Sequence, residues 1–132
     1  PGQLAVAAAV RHIAQLHLAH MTEGTGGPRT YRVLEIGAGT GGTTSVLLPV
    51  LTECFGSRLR YYYTDISAAF FDAARTRFAA YTDALRFACL DLDDDPRLCG
   101  FAPCQFDLVV AANVLHATRD VRRSLQYVVQ LM

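Results

Sequence analysis

The chain has 132 residues, 52% of them hydrophobic, with 12 basic against 12 acidic side chains. That length suits one compact domain, and a neutral chain without a Lys/Arg cluster offers no electrostatic footprint for nucleic acid. The longest uncharged stretch, Ile36 to Thr52, is broken by glycines and Pro49, and no signal peptide is visible, so the expectation is no membrane span and a cytoplasmic location.

Leu4 to Met21 carries Val6, Val10, Ile13 and Leu16 or His17 at three- and four-residue steps, the period of a helix with one apolar face. His12, His17 and His20 fall on this helix and read as helix residues, not ligands. Residues 22–30 hold three glycines and a proline and form a linker. The chain therefore divides into a helix with its linker, 1–30, and a ligand-binding unit, 31–132.

Tyr31 to Ile36 reads as a strand. Thr40 to Phe55 reads as a helix, with Pro49 kinking it or ending its regular part. Leu59 to Thr64 is rich in β-formers and ends at Asp65. Ser67 to Tyr81 is the next helix, with Ser67 as N-cap and Phe70, Phe71, Ala74 and Phe78 on its apolar side. Leu85 to Leu90 is a third strand, and residues 91–105 form an acidic loop with at most a short helical turn. Phe106 to Ala112 is nearly all apolar, as befits a strand buried on both faces. Arg119 to Met132 is helical through Val121, Leu125, Val128 and Val129.

Strands alternating with helices, joined by right-handed crossovers, predict an α/β fold with a parallel sheet and helices on both faces. The expected strand order is 3-2-1-4, with ligand bound outside the strand carboxyl ends at the switch between strands 1 and 4. The fourth strand then sits at an edge although its sequence asks for cover on both sides, and the last helix lacks a cap signal and a closing strand. Together with Pro1 in place of an initiating Met, this reads as the cofactor half of a longer domain, truncated before its C-terminal strands.

The most informative segment is Val33-Leu34-Glu35-Ile36-Gly37-Ala38-Gly39-Thr40-Gly41-Gly42. A strand runs into an acid, then glycines at alternate positions, then a helix whose free N–H groups and positive dipole end face the turn. The spacing fits two cofactor classes, dinucleotides and S-adenosylmethionine. Glu35 favours the second, because a carboxylate beside the turn repels a pyrophosphate but suits the ammonium of a methionine moiety, directly or through water.

Asp65, 30 residues after Glu35, ends the second strand where a carboxylate can bond both ribose hydroxyls of a nucleoside; capping the next helix is the competing role. Asp91 ends the third strand, where it either accepts from an adenine amine or merely opens a solvated acidic loop. The expected cofactor-binding set is Glu35, Gly37, Ala38, Gly39, Thr40 and Gly41 from the first strand and turn, Asp65 with Ile66, Asp91 with Leu92, and Asn113. A strand-end Asn such as Asn113 is also a common turn former. His116, beyond the fourth strand and across the switch point from the glycine turn, is the candidate catalytic base, since imidazole titrates near neutrality; a core or capping histidine is the competing role. Cys54, Cys89, Cys99 and Cys104 form no C-x-x-C pair and no His lies at ligand spacing, so they are expected to be reduced, mostly buried thiols, with no metal site.

The segments Leu34 to Thr44, Tyr63-Thr64-Asp65-Ile66-Ser67 and Phe106 to Thr118, the last containing Asn113-Val114-Leu115-His116-Ala117-Thr118, resemble the C-methyltransferase domains of polyketide synthases. The first motif is common to many class I S-adenosylmethionine-dependent methyltransferases; the third is much more specific. The resemblance, over residues from about 31 to 125, implies methyl transfer from S-adenosylmethionine to the α-carbon of a β-ketoacyl chain. That chain is carried on a phosphopantetheinyl acyl carrier protein, with neighbouring synthase domains as partners. It also implies that His116 removes the α-proton, paired with a Glu further along the polypeptide.

Three other readings remain: an O- or N-methyltransferase acting on a small molecule, a nicotinamide-binding Rossmann domain, and a catalytically silent scaffold domain in a megasynthase. Glu35 and the histidine motif stand against the second; the intact turn, Asp65 and His116 stand against the third.

Overall fold

The computed structural model describes residues 2–22, 29–111 and 121–132. Its elements in chain order are α1 (Gly2–Thr22), β1 (Tyr31–Glu35), α2 (Gly42–Phe55), β2 (Leu59–Asp65), α3 (Phe71–Arg77), β3 (Leu85–Cys89), β4 (Leu108–Val110) and α4 (Val121–Leu131). The strands form one parallel sheet in the order β3-β2-β1-β4, as the alternation of elements predicts. Glu35 is level with Tyr63 on one side and Val110 on the other, so the carboxyl ends of the central strands share one edge.

Both faces of the sheet are covered. Val33, Tyr61 and Tyr63 point into a core with Leu47, Leu48, Leu51 and Phe55 of α2, and with Val10 and Ala14 of α1. Leu34 and Ile36 point the other way, into a second core with Leu90, Leu92, Phe101, Phe106 and Leu131. Side chains on opposite faces of β1 are thus both buried, which explains the adjacent apolar pair Val33-Leu34, while Arg32 near its start is exposed. Each such large side chain contributes about 1.5–3 kcal/mol on burial. Tyr31 stacks on Phe55 with ring centroids 3.8 Å apart, and its hydroxyl lies 2.6 Å from His17 Nδ1. Burial pushes the Tyr31 pKa up.

Several elements depart from expectation. The buried stripe of α1 is rotated toward Ala14: Val10 and Ala14 are buried, with Val6, Leu18 and Met21 packed alongside, whereas Leu16 is exposed and Ile13 lies at the margin. The small Ala14 side chain permits close approach to α2, and that contact decides the face. The expected helix 67–81 is instead a 3₁₀ turn (Ala68–Phe70), the short α3 and a second 3₁₀ turn (Ala79–Tyr81). Helical geometry ends at Phe78 (φ −109°, ψ 32°), whose ring is drawn into the core, and Phe70 is left partly exposed.

α2 begins at Gly42 and continues past Pro49 to Phe55. β4 begins only at Leu108, since Phe106 gives its N–H to the Leu131 carbonyl at 2.8 Å; Ala112, the expected end of the strand, lies outside the described residues. On α4 the seated residues are Ser124, Val128 and Leu131; Leu125 and Val129 are exposed. The thiols are not mostly buried. Cys54 is partly covered, while Cys89 at the end of edge strand β3 and Cys99 and Cys104 in the following loop are exposed. No helix among the described residues is long and apolar enough to cross a membrane.

Candidate functional site

The turn after β1 takes the path that its glycines allow. Gly37, Gly39 and Gly41 have φ of 69°, 55° and 90°, the left-handed region that side chains with a Cβ rarely adopt. The Ala38 N–H donates to the Thr64 carbonyl at 2.8 Å, and the Gly41 N–H closes the turn on the Ala38 carbonyl at 2.9 Å. Gly41 is the N-cap of α2 and no side chain caps it. The positive end of the helix therefore faces the turn, ready for a polar ligand. A Cβ placed on Gly39 would meet nothing within 4 Å, whereas one on Gly41 would lie 2.7 Å from the Phe78 ring. The space beyond Gly39 is open; that behind Gly41 is filled.

Glu35 lies beneath the turn with 2% exposure. Its Oε1 accepts from the Thr44 hydroxyl and, at 2.6 Å, from the Tyr61 hydroxyl. Burial raises the Glu35 pKa, and the two hydroxyl bonds oppose that shift. A direct ligand contact is blocked while this carboxylate stays buried. A charge at this depth is weakly screened. Burial also raises Tyr61, and it pushes Tyr63 up to about 12, helped in both by the Glu35 charge.

Asp65 stands beside the turn. Its Oδ2 accepts from the Gly39 N–H at 2.9 Å and its Oδ1 from the Ser67 N–H at 3.2 Å. Ser67 in turn caps the 3₁₀ turn through the Ala69 N–H. Ile66, adjacent to Asp65, is 68% exposed, an apolar surface at the sheet edge. Asp91 Oδ1 accepts from the Asp93 N–H at 2.9 Å. Leu92 is buried in the second core and Ala38 in the first, so only their backbones are available to a ligand. Thr40 is exposed. Asn113 and His116 lie outside the described residues.

The structure thus gathers Glu35, the glycine turn, Asp65 and Ile66 at one edge. Sequence reasoning missed Thr44, Tyr61, Tyr63, Arg77 and Phe78, which hold that edge together. The Tyr63 hydroxyl donates to the Gly39 carbonyl, and Arg77 Nη1 donates to the Thr40 carbonyl at 2.7 Å. One signal was available: tyrosines two apart on a buried strand share a face, and a buried phenol needs a hydrogen-bond partner.

Residues 34–132 match a family model described as a methyltransferase domain. A highly reducing polyketide synthase, pspA, of Penicillium soppii is 52% identical over 103 residues, which is 76% of this chain and 4% of that synthase. The crystal structure of the CurJ carbon methyltransferase is similar with a TM-score of 0.73 and 43% identity, covering 83% of this chain and 28% of that one. The trans-methyltransferase CalH, in complex with SAH, is similar with a TM-score of 0.71 and 44% identity, over 78% of this chain and 29% of that one. The chain therefore spans a small part of the synthase's length and under a third of either structure.

Proposed function

We propose that this chain, which belongs to the methyltransferase domain family, is the S-adenosylmethionine-binding half (residues 31–132) of a carbon methyltransferase within a polyketide synthase. Its acceptor is the α-carbon of a β-ketoacyl chain on a phosphopantetheinyl acyl carrier protein. The neighbouring synthase domains are its partners, and its setting is cytoplasmic. The observation that carries the reading is the left-handed glycine turn, open beyond Gly39 and flanked by Asp65 and Ile66 at the sheet edge.

The residues present fit the cofactor. Asp65 offers carboxylate oxygens to ribose hydroxyls, and Ile66 an apolar face to an aromatic ring. Asp91, in the loop just after β3, accepts from an exocyclic amine. Asn113, outside the described residues, is the remaining cofactor contact proposed from the sequence. Glu35 contributes a buried negative charge beneath the turn, complementary to an ammonium. A pyrophosphate would find two carboxylates there instead.

When bound, S-adenosylmethionine supplies an electrophilic methyl group on a sulfonium. A β-keto thioester has a C–H acidified by two carbonyls, and His116 takes that proton on a ring nitrogen to leave a carbon nucleophile. The rigid sheet edge holds the reactants in line, the condition for near-attack geometry. Side-by-side calorimetry of the intact protein with S-adenosylhomocysteine and NAD tests the cofactor class. Binding of S-adenosylhomocysteine alone is the expected result; binding of NAD alone contradicts the proposal.

A further inference from the structure

The Gly39 residue is held at both of its polar groups by side chains two apart on β2: Asp65 takes its N–H at 2.9 Å, and the Tyr63 hydroxyl donates to its carbonyl. The next carbonyl, that of Thr40, accepts from Arg77 at 2.7 Å. The Arg77 guanidinium lies over the Phe78 ring, 5.1 Å from its centroid, and that ring fills the space behind Gly41. Three successive turn residues are therefore gripped from β2 and from the end of α3.

The Asp65 grip is the one that cofactor binding draws on, because the proposed ribose partner is the same carboxylate. The Tyr63 and Arg77 grips involve groups with no other assignment in the site. Resting on the methyltransferase reading above, we propose that Tyr63 and Arg77 are positioning residues for cofactor binding. By holding the Gly39 and Thr40 carbonyls toward the protein, they keep two lone-pair-bearing oxygens out of the ligand space. They also preserve the left-handed turn while Asp65 engages the ribose. Neither residue touches the reacting atoms. The effect is preorganisation: without these bonds the turn must be ordered at the cost of binding affinity.

The test uses Tyr63→Phe, Arg77→Gln and Arg77→Lys in the intact protein. Tyr63→Phe keeps the ring that packs against Phe71, Phe78 and Phe87. The readouts are S-adenosylhomocysteine affinity by calorimetry well below the melting temperature, the ligand-free melting temperature, and kcat and KM for S-adenosylmethionine. Tyr63→Phe and Arg77→Gln should each weaken affinity about five- to tenfold and raise KM in step, with kcat at saturation within about twofold. Arg77→Lys should recover most of the loss. Parent-like affinity in both Tyr63→Phe and Arg77→Gln, with only a lowered melting temperature, overturns the inference and leaves the cofactor assignment standing. A parent protein that does not bind S-adenosylhomocysteine overturns both.

Discussion

The carboxylate of Asp65, at the end of β2, lies 2.9 Å from the amide of Gly39 in the turn after β1. One side chain thus ties the carboxyl ends of adjacent strands together, at the place where a nucleoside is expected. Asp65→Ala removes both the tie and the proposed ribose acceptor. It should weaken S-adenosylhomocysteine binding by about 1.5–3 kcal/mol, the weight of a charge-assisted bond. Asp65→Asn keeps a carbonyl acceptor for the Gly39 amide and should lose less. Calorimetry on both variants and on Glu35→Ala checks this, and unchanged affinity in Asp65→Ala and Glu35→Ala alike would refute the site.

Burial is the dominant influence on Glu35 and raises its pKa above the ordinary 4.5. The native state then binds this proton more tightly than the unfolded chain. The stabilising contribution is full below the unfolded value and is lost as pH rises through the raised native value. Cofactor binding has the opposite preference, since an ammonium favours the charged carboxylate. Affinity should therefore rise with pH across the same window. Glu35→Gln should flatten both slopes, measured as urea midpoints and calorimetric affinity against pH. Equal slopes in parent and variant would rule Glu35 out as the group responsible.

The two turn glycines make a contrasting pair. At Gly41 an added methyl meets the Phe78 ring at 2.7 Å with φ at 90°, so Gly41→Ala should cost roughly 2–4 kcal/mol of stability from strain and overpacking. At Gly39 the added methyl points into open space with φ at 55°. Gly39→Ala should cost only about 1 kcal/mol of stability, yet impair cofactor binding by occupying ligand space. Denaturant melts and ligand titration separate the two effects; similar profiles for both variants would contradict the picture of one open and one filled side.

The sheet order was legible because alternating apolar strands and helical periods, joined by right-handed crossovers, leave few topologies. The turn was legible because glycines at 37, 39 and 41 have a local backbone reason. What holds the turn was not. Tyr61 reaches Glu35 across 26 residues and Arg77 reaches Thr40 across 37, and such pairings arise only when strands and helices have docked. The same cause accounts for α1, where Ala14 rather than Leu16 is buried: the pattern marks a broad apolar side, and contact with α2 selects within it. The early end of α3 follows from the core's claim on the Phe78 ring, which overrides a sequence otherwise suited to a longer helix.

His116 belongs to the motif Asn113 to Thr118 and is proposed to take the α-proton. His116→Ala should leave S-adenosylhomocysteine affinity nearly intact while methyl transfer slows by on the order of 10²–10⁴. A purely structural histidine gives the reverse: a lowered melting temperature and little specific change in rate. Single-turnover kinetics with saturating cofactor distinguish them.

The most direct measurement places the transferred methyl. The intact protein is given S-adenosylmethionine carrying a deuterated methyl group and a β-ketoacyl acyl carrier protein, and the released acyl group is read by mass spectrometry and NMR. One labelled methyl is expected on the carbon between the two carbonyls, with loss of an α-proton. Label on oxygen or nitrogen, or an acyl chain that remains unlabelled while the protein binds the cofactor, would contradict it.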